Sequence, residues 1–219
     1  DPMANPPRNP PITDPPIRLA VCASGSGRSL QNLIDRIAAR KLKASIELLV
    51  ASRPRIGAID RAMLAKIPIA IMDRNVKSRV ARSASVFDAI RKHQADLVVL
   101  AGFLSLVEIP ADYLGRVINI HPSLIPSFCG HGLYGLKVHE AALAEGVKVS
   151  GCTVHFADQQ YDTGPIILQK AVPVHEDDTS ESLAARVFVA ECQALPEAIE
   201  LYANGRLRIE GERVRVLTK

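Results

Sequence analysis

Tryptophan is absent, and aromatic residues make up only 4% of the 219-residue chain. Recognition of single strands by base stacking is therefore poorly supplied. Cysteine is scarce as well. Cys22, Cys129, Cys152 and Cys192 are far apart and form no C-x-x-C pair, which excludes a disulfide scaffold and suits free thiols in a reducing cytoplasm. The longest apolar run, Leu97 to Val107, falls short of the roughly 20 residues a membrane span needs. Asp1 to Pro16 holds no hydrophobic stretch and so is no secretory signal.

What is present is the composition of one soluble globular domain, 47% hydrophobic and 23% charged. The net charge of +4 comes from dispersed basic residues, a pattern that suits anionic ligands as readily as nucleic acid. Seven of the 15 prolines lie in residues 1–16, which read as a disordered tail. Residues 17–219 read as a single domain, because no second linker and no internal repeat interrupts them.

From Ile17 onward, apolar strand runs alternate with helical periodicity. Strands are expected at Ile17–Ala23, Ser45–Ala51, Pro68–Met72, Asp96–Ala101 and Arg116–His121, with helices at Ser29–Arg40, Gly57–Lys66 and Ser78–His93 between them. This is the signature of an α/β, Rossmann-like, mostly parallel sheet with helices on both faces. After a helix at Gly135–Glu145, the runs Lys148–Ala157 and Ile166–Val174 have no helix between them and are expected to pair antiparallel. A final helix is expected at Ser180–Ala203. Ligands of such sheets sit beyond the strand C-termini, here after Ala23, Ala101 and Ile120.

Two of those positions carry chemistry. Ser24-Gly25-Ser26-Gly27-Arg28-Ser29 follows the first strand and opens a helix. Free helix N–H groups and the macrodipole make such a turn a phosphate cradle. The dinucleotide fingerprint is incomplete, since Leu30 takes its third glycine position and no acidic residue ends strand two. A simpler reading is a tight turn with Ser29 as N-cap.

In Val117-Ile118-Asn119-Ile120-His121-Pro122, the polar pair Asn119 and His121 shares one strand face at its C-terminal end. Asp162 lies in the turn Tyr161-Asp162-Thr163-Gly164-Pro165, within possible reach of that end. Amide, imidazole and carboxylate together form a set for acyl transfer to an amine. The amide can donate to an oxyanion, the imidazole can move a proton, and the carboxylate can hold the imidazolium. No Ser or Cys nucleophile is signalled beside His121. Cys129, His131, His139, Cys152 and His155 are metal-ligand types at no recognised spacing, so no metal is expected. His93, His131, His139, His155 and His175 read as structural or exposed.

The stretch Asn119 to Pro126 (NIHPSLIP), followed by Asp162-Thr163-Gly164-Pro165 and preceded by DLVVLAGF, resembles the folate-dependent formyltransferases. The resemblance covers about Ile17 to Glu210. It implies the formyltransferase fold and transfer of a formyl group from 10-formyltetrahydrofolate to the amine of a phosphoribosylated glycinamide, in purine biosynthesis. It also implies Asn119, His121 and Asp162 as the catalytic trio, with Gly27, Arg28, Ser29 and Glu191 holding the ribonucleotide. Arg79, Leu104, Ser105, Leu106, Val107 and Asp158 would lie on the folate side. The family loop commonly has Ser-Asn where this chain has Arg28-Ser29, and an arginine often stands where this chain has Ser105. Phe128 to Val138 is longer than in well-known members and is expected to be a mobile loop.

Methionyl-tRNA formyltransferases share the trio but add a C-terminal barrel, and formyltetrahydrofolate hydrolases carry an N-terminal regulatory domain; the length of this chain is expected to favour the small-substrate enzyme. A hydrolase or a non-catalytic phosphoribosyl-ligand binder is the alternative. The expected partners are small-molecule substrates, not nucleic acid or membrane, for a cytoplasmic monomer or homodimer.

Overall fold

The computed structural model describes residues 16–218. The tail expected at residues 1–16 therefore falls, except for Pro16, outside the described residues. Five parallel strands form one half of a nine-stranded sheet: β1 (Ile17–Ala23), β2 (Ala44–Ala51), β3 (Ile69–Ile71), β4 (Leu97–Ala101) and β5 (Val117–His121). β6 (Val149–Phe156) and β7 (Ile166–Pro173) extend it by antiparallel pairing. The order is β3-β2-β1-β4-β5-β6-β7-β9-β8. The last two strands, β8 (Leu207–Glu210) and β9 (Arg213–Val216), form a hairpin that the sequence reading did not anticipate. Its alternation of apolar and charged residues around Gly211 (φ 61) is the strand signal that was available.

Alternation along β1 divides the core. Leu19, Val21 and Ala23 face a cluster built with Leu30 and Leu33 of α1 (Arg28–Ala38), Ala58 and Ala62 of α2 (Gly57–Leu64), Ala142 of α4 (Leu136–Ala144) and the apolar stripe of α5 (Ser180–Ala203). Ala20 and Cys22 face the opposite cluster, where Val86, Phe87 and Ile90 of α3 (Arg79–Lys92) pack with Phe103, Val107 and Tyr113. Strands buried on both faces explain the near-continuous apolar runs. Cys22 is wholly buried, and burial pushes its thiol up to about 12, so it behaves as a small hydrophobe. No helix among the described residues is long and apolar enough to cross a membrane.

Element ends differ from the sequence expectations by at most two residues, and α5 matches at both ends. One cap is corrected. The residue that opens α1 is Gly27 in the left-handed conformation (φ 74, ψ 30), and Ser29 lies inside the helix with no capping hydrogen bond. Glycine is required at that point because a Cβ on Gly27 would stand 2.6 Å from Cα of Ala58. Close approach of α2 thus sets the turn, and no side-chain cap is needed.

The sheet order reverses between β1 and β4, with β2 on one side and β5 on the other. The loops after β1, β4 and β5 consequently open at one edge. They are tied together there: the Ser24 amide donates to the Gly102 carbonyl at 3.0 Å, and the Leu104 amide donates to Oγ of Ser24 at 2.9 Å.

Candidate active site

A cavity of about 720 Å³ opens at this edge. Its borders include the glycine loop (Gly25 to Ser29), Gly102 to Leu104, Asn119 to Pro122, the loop from Gly130 to Gly135, Tyr161 and Asp162, and Phe188 and Glu191 of α5. The strand ends named from sequence and the cavity coincide, as expected for an open α/β sheet.

Strand β5 places Asn119 and His121 on the same side, and the turn after β6 brings Asp162 to them. Nδ1 of His121 stands 3.4 Å from Oδ1 of Asp162, in a setting where both side chains are nearly enclosed. The other ring nitrogen, Nε2, lies 2.9 Å from the Phe128 carbonyl, to which it donates. Each imidazole nitrogen thus faces an oxygen acceptor. A neutral ring can satisfy one of them, and an imidazolium satisfies both. The second Asp162 oxygen accepts the Gly130 amide at 2.9 Å, so the loop expected to be mobile is bonded at two points to the trio. Asp162 itself has φ 53, a conformation open to Asp and Asn. Its turn depends on Gly164, where a Cβ would meet the Phe156 carbonyl oxygen at 2.1 Å.

Asn119 is oriented by a residue that sequence reasoning assigned no part in the site. β6 pairs with β5 so that His155 lies opposite Asn119. Nδ1 of His155 donates to the Phe156 carbonyl at 2.9 Å, which leaves Nε2 as the acceptor of an Asn119 Nδ2 hydrogen at 3.0 Å. Burial lowers the pKa of His155 and keeps the ring neutral, although the nearby Asp162 charge works the other way. The second Nδ2 hydrogen faces Oδ1 of Asp162 at 3.4 Å. That longer contact is the one an incoming oxygen can replace.

Gly27, Arg28 and Ser29 line the same cavity, as does Glu191. The first α1 hydrogen bond runs from the Gln31 amide to the Gly27 carbonyl, leaving the preceding amides free of helical partners. Arg61 Nε donates to the Ser26 carbonyl at 2.7 Å and anchors the loop. Burial pushes the Glu191 carboxyl up to about 7, against the favourable pull of the Arg28 charge.

The folate-side residues expected from sequence are only partly gathered. Leu104 borders the cavity, whereas Arg79, Ser105, Leu106, Val107 and Asp158 do not. Arg79 is paired with Glu108 at 2.9 Å. Val107 belongs to the core. Asp158 accepts the Thr163 hydroxyl at 2.6 Å and the Gln160 amide at 2.8 Å, bracing the turn that carries Asp162. Two histidines read as structural or exposed also reach the site. His131 borders the cavity, and His139 does so while buried, with Nδ1 lacking a hydrogen-bond partner. No three His, Cys, Asp or Glu side chains gather as a metal-ligand group among the described residues.

The structure is an open α/β sheet that gathers an amide, an imidazole and a carboxylate beside a cavity at its strand C-termini. The chain belongs to the formyl transferase family, whose model matches residues 17–199. It is 39% identical over 202 residues to the trifunctional purine biosynthetic protein adenosine-3 of Bos taurus, covering 91% of this chain and 19% of that protein. It is 37% identical over 193 residues to the chloroplastic phosphoribosylglycinamide formyltransferase of Vigna unguiculata, covering 87% of this chain and 62% of that one. The chain thus spans about a fifth of the length of the trifunctional relative and under two thirds of the plant one. Glycinamide ribonucleotide transformylase 1 from Symbiobacterium toebii shares the fold with a TM-score of 0.86 at 41% identity, over 94% of this chain and 96% of that structure.

Proposed function

We propose that residues 17–219 form one catalytic domain that transfers a formyl group from 10-formyltetrahydrofolate to the amine of 5-phosphoribosylglycinamide. The observation that carries this reading is the convergence of Asn119, His121 and Asp162 in a cavity that the glycine loop also lines. The names of the relatives support it.

The substrate's own amine is the nucleophile, so no Ser or Cys is required. Its lone pair forms the new C–N bond to the formyl carbon, and the carbonyl electrons move to oxygen. Asn119 Nδ2 donates to that oxygen by giving up its long contact to Asp162. Expelling the folate nitrogen requires a proton there, matched by one lost from the attacking amine. After exchanging the Phe128 carbonyl for substrate, His121 as the imidazolium gives the folate nitrogen its Nε2 proton and takes up the amine's proton in its place. Asp162 stabilises the imidazolium before and after the exchange.

The phosphate is assigned to the Gly27-Arg28-Ser29 turn and the glycinamide end to Glu191. Leu104 is assigned to the folate, which enters past the loop after β4. Buried Cys22 and Cys152 fit a reducing compartment, and a cytoplasmic location is part of the proposal.

The test is incubation of the purified chain with both substrates, following the formylated ribonucleotide by mass spectrometry. Formylation that needs both substrates is expected. Release of formate from 10-formyltetrahydrofolate without the ribonucleotide, and no formylated product with it, would replace the transferase reading with a hydrolase one.

A further inference from the structure

Arg28, the first residue of α1, lays its guanidinium over the ring of Phe188, 3.8 Å from the centroid. Both side chains border the cavity. Phe188 precedes Glu191 by three positions in α5, so ring and carboxylate share one helix face. Among the described residues, Arg28 makes no hydrogen bond and no ion pair, although Glu191 is near enough to feel its charge.

This arrangement has physical consequences for an anion at the start of α1. Stacking on an aromatic face occupies one side of the guanidinium and leaves its N–H edge free. That edge can meet a phosphate bidentately, beside backbone amides that have no helical acceptor. A free arginine would lose rotamer freedom on gripping phosphate, whereas one already stacked loses less. The ring also competes with Glu191. Without it, Arg28 is free to swing onto that carboxylate and close the seat that an anion would occupy.

We infer that Phe188 is a positioning residue: it holds Arg28 ready for the phosphate monoester of the acceptor and so sets the preference for the phosphorylated over the dephosphorylated form. This rests on the ribonucleotide reading above and narrows it. Phe188 touches no reacting atom in the inference; it acts through Arg28 alone.

The test combines steady-state kinetics and calorimetry on the full chain, with 5-phosphoribosylglycinamide and its dephosphorylated counterpart as the probes. Phe188→Leu is expected to raise KM and Kd for the phosphorylated acceptor about 3- to 10-fold, in keeping with a cation–π contact. Turnover at saturation and the KM for folate should not change. Phe188→Tyr, which keeps an aromatic face, should restore wild-type affinity. In an Arg28→Ala background, Phe188→Leu should have no further effect, because the partner it acts through is gone.

An equal loss in both backgrounds, or unchanged affinity in Phe188→Leu, would overturn the inference. If thermal melting shows Phe188→Leu to be unfolded, Arg28→Lys takes its place. That exposed change keeps the charge but not the planar fork, and wild-type affinity there would overturn the inference equally. Calorimetry separates the two levels of the argument. A chain that binds the ribonucleotide with this pattern yet transfers no formyl group would refute the proposed activity and leave the Phe188 role standing.

Discussion

The carboxylate of Asp162 divides its two oxygens: one stands 3.4 Å from Nδ1 of His121 and 3.4 Å from Nδ2 of Asn119, and the other accepts the Gly130 amide at 2.9 Å. Asp162→Asn separates these tasks. Its amide oxygen can still accept from Gly130, and Asn suits the backbone at φ 53. The charge beside the imidazole is lost, and with it the acceptor that Oδ1 offers to His121 and Asn119. Turnover is expected to fall by about 10²- to 10⁴-fold, the usual worth of general acid–base assistance. Stability should change by no more than about 1 kcal/mol. Turnover close to wild type from pH 6 to 9 would remove the electrostatic role.

Asn119 presents one Nδ2 hydrogen to His155 at 3.0 Å and the other toward Asp162 at 3.4 Å. Because His155 acts only as an acceptor there, the amide cannot flip without setting its oxygen against a lone pair. Its donor is therefore fixed in advance of substrate. Asn119→Ala is expected to cost about 2.7–4 kcal/mol of transition-state stabilisation, the value of one oxyanion donor. In stopped assays this appears as a fall in kcat with KM nearly constant. A change confined to KM would reassign Asn119 to ground-state binding.

The parts of this molecule legible in sequence are those where one residue type contradicts its surroundings. Asn119 and His121 stand out because they are polar at the end of an apolar strand. Asp162 stands out because it sits in a glycine–proline turn. The five parallel strands were legible because burial on both faces writes continuous apolar runs. His155 was not legible as part of the site. Its relation to Asn119 exists only through the β5–β6 register, which no local pattern encodes. The Arg28–Phe188 stack joins the first and last helices and has no signature in either segment. The β8–β9 hairpin has four-residue strands rich in arginine and glutamate, so its alternation is weak against the apolar signals upstream.

Gly27 and Gly25 flank the same loop yet make opposite demands. At Gly27 the backbone is left-handed, and a Cβ would overlap Ala58; at Gly25 a Cβ would meet nothing within 4 Å. Gly27→Ala carries the left-handed penalty of about 1–2 kcal/mol and must also push α2 away. Gly25→Ala should stay within about 0.5 kcal/mol of wild type. Urea denaturation of the two variants checks this directly, and equal midpoints would contradict the packing described for the loop.

Glu191 joins stability to function through its protonation. Burial pushes its carboxyl from the ordinary 4.5 up to about 7. Between those values the folded chain holds a proton that the unfolded chain has released, so unfolding releases a proton and stability falls as pH rises. The contribution is complete below about pH 4.5 and lost above about pH 7. Its upper bound is about 3 kcal/mol from the size of the shift; with the group open to the cavity, about 1–2 kcal/mol is expected, or several degrees in Tm for a chain of this size. Glu191→Gln has no such proton to lose. Its Tm relative to wild type should therefore be higher at pH 8 than at pH 5, a comparison in which other titrating groups largely cancel. The same variant should bind the ribonucleotide more weakly at pH 8, where the wild-type carboxylate is charged and available to the glycinamide end. A Tm difference that is the same at both pH values would mean that the Glu191 carboxyl titrates like an exposed one, and the cavity wall it forms would have to be open to bulk water.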